Sequence, residues 1–221
     1  MSLDNIIEDD MDDRFTSLHD PIKIIDIVHI VNKEDLTKKG RLSISMAPGK
    51  KDYKYNRDLK LDLETIKNNN INVIVCLLEW HEMELLTMLD YPYKAQELGL
   101  IFYHLPIKDQ RIPTQQDAST IVSVILKHLG CGENVLVHCR SGLGRAGTIC
   151  ACCLINLGYD YNRALETVRR RRPGAIPVFQ QEEFILKYSQ TSHEAHDSSH
   201  SWHCASTKKN VDSDIISVLD S

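Results

Sequence analysis

The chain has 221 residues, 42% of them apolar, with 31 acidic against 26 basic side chains. That apolar share suits one buried core, and no uncharged stretch approaches the roughly 18 to 20 residues that span a bilayer, so an integral membrane protein is excluded. The start MSLDNIIEDD lacks the basic and apolar regions of a signal peptide, and seven cysteines form no paired framework, so a reducing interior is expected, cytoplasmic or also nuclear.

Residues 1–20 hold seven acids and one base, and residues 192–221 hold five acids and two bases. The middle of the chain is left mildly basic, with 23 bases against 19 acids. This suits an anionic substrate but does not argue for nucleic acid. Residues 1–20 are expected to be an acidic disordered tail and 21–190 the folded domain. Residues 191–221, rich in Ser and His, are expected to be a second flexible tail. Of that tail, only Ile215, Ile216, Val218 and Leu219 offer a docking segment.

Strands are expected over 24–31 and 42–46, then a turn at Pro48-Gly49. Leu59, Leu63 and Ile66 have helical spacing in 58–69, and an Asn run ends that helix. The β-branched run 72–78 reads as a buried parallel strand. Residues 79–96 read as mostly helix, broken at Pro92. Strands over 100–105 and 134–138 flank a helix over 114–129, and helices over 143–157, 162–171 and 178–188 follow. The order implies an α/β fold: a single domain with a mostly parallel central sheet flanked by helices, binding ligands at the carboxyl ends of its strands.

At one such end a buried strand runs through His138 into Cys139-Arg140-Ser141-Gly142-Leu143-Gly144-Arg145 and then a helix. Successive backbone N–H groups at a helix N-terminus cradle an anion. Gly142 and Gly144 allow the tight turns such a loop requires. Arg145 can return across it and hold two phosphate oxygens in its planar fork. The same electrostatics favour a thiolate at the first loop position. A nucleophile facing a bound phosphate is the chemistry this segment suggests.

The strand, His-Cys, paired glycines and Arg six residues after the Cys resemble the cysteine-dependent dual-specificity protein phosphatases. Ala47-Pro48-Gly49, Ile74-Val75-Cys76, His104-Leu105-Pro106-Ile107 and the loop are most similar to the cyclin-dependent-kinase-associated (cyclin-dependent kinase inhibitor 3) family. The resemblance covers roughly residues 40–190. It implies hydrolysis of phosphoserine, phosphothreonine or phosphotyrosine through a cysteinyl phosphate, with no cofactor or metal. A monomer acting on a phosphoprotein, a cyclin-dependent kinase among the candidates, would be the working unit. It implies Asp109, thirty residues before Cys139, as general acid, with Asp117 as the other candidate. Gln181 of the pair Gln180-Gln181 would position the hydrolytic water, and Cys76 is the candidate redox partner of Cys139. Where most relatives carry Ser or Thr after the loop Arg, this chain has Ala146. That departure raises a second reading, a slow or inactive phosphatase that captures phosphorylated partners. A phosphatase of RNA 5′ ends or phosphoinositides is a third.

Outside that pattern, Cys150, Cys152 and Cys153 read as core residues on the helix after the loop. His193, His196, His200 and His203 with Cys204 read as an adventitious metal-binding run. Arg169 to Arg172 close a helix where positive charge suits its dipole, and a secondary phosphate-docking patch is the alternative reading.

Overall fold

The computed structural model describes residues 16, 20–32 and 35–195, and for 192–195 the backbone only. Five strands form one sheet: β1 (Ile25–Val31), β2 (Lys39–Ser45), β3 (Val73–Cys76), β4 (Ile101–His104) and β5 (Asn134–His138). Their spatial order is β1-β2-β5-β3-β4, with β1 antiparallel at the edge and every other pairing parallel. The helices are α1 (Leu59–Asn68), α2 (Trp80–Leu85), α3 (Tyr91–Glu97), α4 (Gln115–Gly130), α5 (Gly144–Asn156), α6 (Tyr161–Arg171) and α7 (Phe179–Ala195). The expected α/β architecture is the one observed.

Alternate residues of the central strands feed two cores. Val73, Val75, Val135 and Val137 pack with α4, α5, α6 and α7 on one face. Ile74, Cys76 and Leu136 pack with α1, α2 and α3 on the other. Coverage of both faces explains why β3 and β5 read as unbroken apolar runs. No helix among the described residues is long and apolar enough to cross a membrane.

Several boundaries differ from expectation. β2 begins at Lys39, because its register with β1 extends the pairing to Lys39 opposite Val31. The helix expected over 79–96 is two helices, and the break precedes Pro92. Thr87 adopts a left-handed conformation (φ 56°) between them, while Pro92 lies in the first turn of α3, where a missing N–H loses nothing. The domain limit expected near residue 190 falls inside α7, which runs to Ala195. The acidic tail apart from Thr16 and Asp20, and everything from residue 196 on, lie outside the described residues, as do the side chains of the His run.

Candidate active site

β5 delivers Cys139 one residue beyond its end, and residues 139–145 curl from there into the N-terminus of α5. Gly142 has φ +67°, and a Cβ on it would stand 2.2 Å from the carbonyl oxygen of Ser45 in β2. Only glycine fits that combination of conformation and contact. Gly144 lies beneath Gln181, whose amide nitrogen would stand 2.9 Å from an added Cβ.

The carbonyls of the loop are all held from outside. His138 Nδ1 lies 3.3 Å from the Cys139 oxygen, and the Ala47 N–H donates to Arg140 O at 3.3 Å. Arg172 donates through Nη2 to Ser141 O (2.9 Å) and through Nε to Gly142 O (3.3 Å). Leu143 O accepts from the N–H groups of Gly147 and Ile176. A planar peptide whose oxygen faces outward points its N–H inward. The N–H groups of residues 140–143 find no acceptor among the described residues.

Above the loop lies Arg145, 2% exposed. Its Nη1 donates to Glu82 Oε2 (2.5 Å) and Ile107 O (2.8 Å), and its Nη2 donates to Glu82 Oε1 (2.9 Å). Asp109 Oδ1 lies 2.8 Å from the same Nη2. Nε is buried with no acceptor among the described residues. Burial, the largest single influence, opposes the charged form of Glu82, yet the hydrogen bonds from Arg145 and the Glu79 N–H, together with the charge of Arg145, outweigh it and hold this carboxyl below its usual range. Glu82 also accepts the Glu79 N–H (3.0 Å), so a capping box at the start of α2 aims it at Arg145.

His138 is fully buried, and desolvation pushes its pKa down to about 3. A neutral ring donates from Nδ1 to the Cys139 carbonyl, leaving Nε2 to accept the Tyr91 O–H at 2.9 Å. Cys76 ends β3 in register with His138 but packs in the opposite core from Cys139, and burial pushes its thiol up to about 12. Arg140, the one extra base in the loop, is matched by Asp52 at 3.2 Å.

The structure thus brings Cys139, the loop, Arg145, Asp109 and Gln181 together. Gln181 is buried, donates weakly to Arg111 O (3.4 Å) and leaves its Oε1 without a partner among the described residues. Asp117 instead caps α4 with Thr114 (2.7 Å). Cys150, Cys152 and Cys153 are core residues whose thiols burial pushes up, and no group of three metal-ligating side chains occurs among the described residues. Sequence reading missed Glu82, Tyr91 and the part played by Arg172. Of these only Glu82 had a local signal, the capping spacing from Glu79.

The family model described as polymorphic toxin system, DSP-PTPase phosphatase matches residues 48–159, half of the chain. PRL-1 phosphatase of Drosophila melanogaster is 31% identical over 145 residues, 63% of this chain and 76% of that one. Human cyclin-dependent kinase inhibitor 3 is 26% identical over 150 residues, 66% and 71% of the two chains. Tk-PTP in its active form superposes with a TM-score of 0.57 at 28% identity, covering 68% of this chain and 92% of that one. Kinase associated phosphatase carrying serine for its catalytic cysteine gives a TM-score of 0.69 at 24% identity, covering 77% and 96%, a likeness of fold. With the loop geometry above, these matches show that the chain belongs to the DSP-PTPase family of cysteine-dependent phosphatases.

Proposed function

We propose that this chain dephosphorylates proteins through a phosphocysteine on Cys139, with Arg145 and the N–H groups of residues 140–145 holding the phosphoryl group and Asp109 as general acid. The observation that carries this reading is the gathering of unmatched donors around one cysteine. The buried Nε of Arg145 and the N–H groups of the loop all lack acceptors, and a buried unpaired donor costs about 1–3 kcal/mol. A phosphate dianion satisfies them together.

In the first step the Cys139 sulfur attacks phosphorus, the P–O bond breaks, and Asp109 gives its proton to the leaving oxygen. In the second, a water held by the free Oε1 of Gln181 attacks phosphorus. The S–P bond breaks and Asp109 takes the water's proton.

The match of Arg140 by Asp52 favours a phosphoprotein over polyanionic RNA ends or inositol lipids, which reward additional free bases. Likeness to cyclin-dependent kinase inhibitor 3 supports a phosphorylated cyclin-dependent kinase as substrate. Ala146 favours a second reading in which phosphorylated partners are captured and released slowly. Rates on a phosphopeptide panel, an inositol lipid and triphosphate RNA, with Cys139→Ser as control, test the assignment. Phosphopeptide turnover abolished in the variant is expected. Turnover that survives the substitution, or faster lipid or RNA cleavage, overturns it.

A further inference from the structure

We propose that Arg172 is a positioning residue for the phosphate site, turning the loop peptides so that their N–H groups converge on the anion. The inference deepens, and rests on, the reading of residues 139–145 as a phosphate cradle. Arg172 is at the end of α6, thirty residues from the loop in sequence, and its side chain is only partly buried. Its guanidinium nonetheless binds the two adjacent carbonyls of Ser141 and Gly142. Those oxygens belong to the peptides that carry the N–H groups of Gly142 and Leu143.

Among the described residues, the middle of the loop has no other restraint of this kind. Cys139 O is held by His138, Arg140 O by Ala47, and Leu143 O by Gly147 and Ile176. Among the described residues, only the Ser141 and Gly142 carbonyls depend on a side chain from an element remote in sequence. Gly142 makes this dependence sharp. With φ +67° and no Cβ, it sits where peptide planes flip most readily, and a flipped 141–142 or 142–143 peptide would point an oxygen at the bound anion.

The segment after Arg172 is built to hold it in place. Ile176, a β-branched residue, is kept at φ 55°, a conformation such side chains disfavour. Its N–H reaches Leu143 O (3.3 Å), and its carbonyl accepts from Arg169 Nη2 (2.9 Å). Arg169 also binds Ala175 O at 3.3 Å and Glu182 of α7 at 2.5 Å. The run of arginines closing α6 therefore divides its work. Arg169 fixes the segment 175–176, and Arg172 fixes the loop.

The test is binding of orthovanadate and inorganic phosphate to the full chain, with Arg172→Ala and Arg172→Lys beside the parent. Removing a two-point, charge-assisted contact should weaken vanadate binding by about tenfold or more, with kcat/KM for an aryl phosphate falling in parallel. Lysine keeps the charge but not the fork, so Arg172→Lys should recover only part of the loss. The ligand-free melting temperature should move little in either variant, since Arg172 is not part of either core. Vanadate affinity in Arg172→Ala within twofold of the parent, or full recovery by lysine, overturns the positioning role. If Arg172→Ala does not fold, the comparison of Arg172→Lys with the parent decides by the same criterion. Failure of the parent itself to bind vanadate or phosphate would instead overturn the cradle reading on which the proposal stands.

Discussion

Asp109 Oδ1 lies 2.8 Å from Arg145 Nη2, so the candidate acid and the candidate phosphate-binding cation are paired with each other. The same oxygen accepts the Gln110 N–H at 3.0 Å, and Gln110 is held in a left-handed conformation. A phosphate binding side-on to Arg145 would take Nε, which is free, and Nη2, which is not. Its arrival would therefore displace the Asp109 carboxyl from the arginine, as a general acid for the leaving oxygen would need.

Replacing Asp109 by Asn should slow phosphopeptide hydrolysis by about 100-fold or more, because an alkoxide or phenoxide leaves poorly without a proton. An aryl phosphate with an acidic leaving group should lose far less. Steady-state rates on both substrates check this, and equal losses remove Asp109 from the role.

Glu82→Gln should lower kcat/KM for every substrate alike. The carboxylate braces both terminal nitrogens of Arg145, and an amide offers only one acceptor oxygen in its place. Leaving a buried cation poorly paired costs about 3–5 kcal/mol, so thermal unfolding should shift down as well. A variant with parental kcat/KM would show that Arg145 needs no such brace.

The buried neutral His138 sets an acid limit on stability. Its folded pKa of about 3 lies below the unfolded value of 6.5, so between these the unfolded chain binds a proton that the folded chain refuses. The stability His138 allows is therefore fully present above pH 6.5 and is lost as pH falls toward 3, by about 1.4 kcal/mol per pH unit at most. Urea titrations of the parent and His138→Gln across this range should show a shallower acid slope in the variant. Identical slopes would mean that other groups carry the acid limit.

Cys76 can resolve oxidised Cys139 only as a thiolate, and burial has pushed its pKa up to about 12. At neutral pH the resolving step should therefore be slow, and it should quicken by about tenfold per pH unit between pH 7 and 9. The ratio of Cys76–Cys139 disulfide to dimedone-trapped sulfenic acid, read by peptide mapping at each pH, isolates this step. A pH-independent ratio, or a yield of trapped sulfenic acid unchanged in Cys76→Ser, counts against Cys76 as the partner.

The phosphate loop was legible because its parts are contiguous: the strand, the cysteine, both glycines and Arg145 lie within a dozen residues, and each carries its own chemical reason. Glu82, Tyr91 and Arg172 were not, because each acts across 30 to 63 residues on a partner that only the fold brings near. Among the elements, buried strands and amphipathic helices followed their periodicity. The break expected at Pro92 lies earlier, because Thr87 takes a left-handed turn that favours glycine, and nothing in the local sequence announces that position.

Ala146 bears on the second chemical step. The phosphocysteine forms when sulfur attacks and breaks when that sulfur leaves, so a hydroxyl donated to the departing thiolate chiefly aids hydrolysis. Ala146 is fully buried in the first turn of α5 and has no donor to offer. Thr148, the nearest alternative on the helix, has its hydroxyl committed to the Gly144 carbonyl at 3.0 Å, so it cannot substitute without breaking that bond. A hydrogen bond to a charged group is worth roughly 1.5–3 kcal/mol, or about 10- to 150-fold in rate if fully felt in the transition state. Ala146→Ser should raise kcat several-fold or more and shrink a pre-steady-state burst of product, with the burst rate much less changed. Stopped-flow traces on an aryl phosphate read both quantities at once. A parent without a burst and a Ser variant that turns over no faster would show that departure of the thiolate is not limiting, and slow release would lose its structural basis.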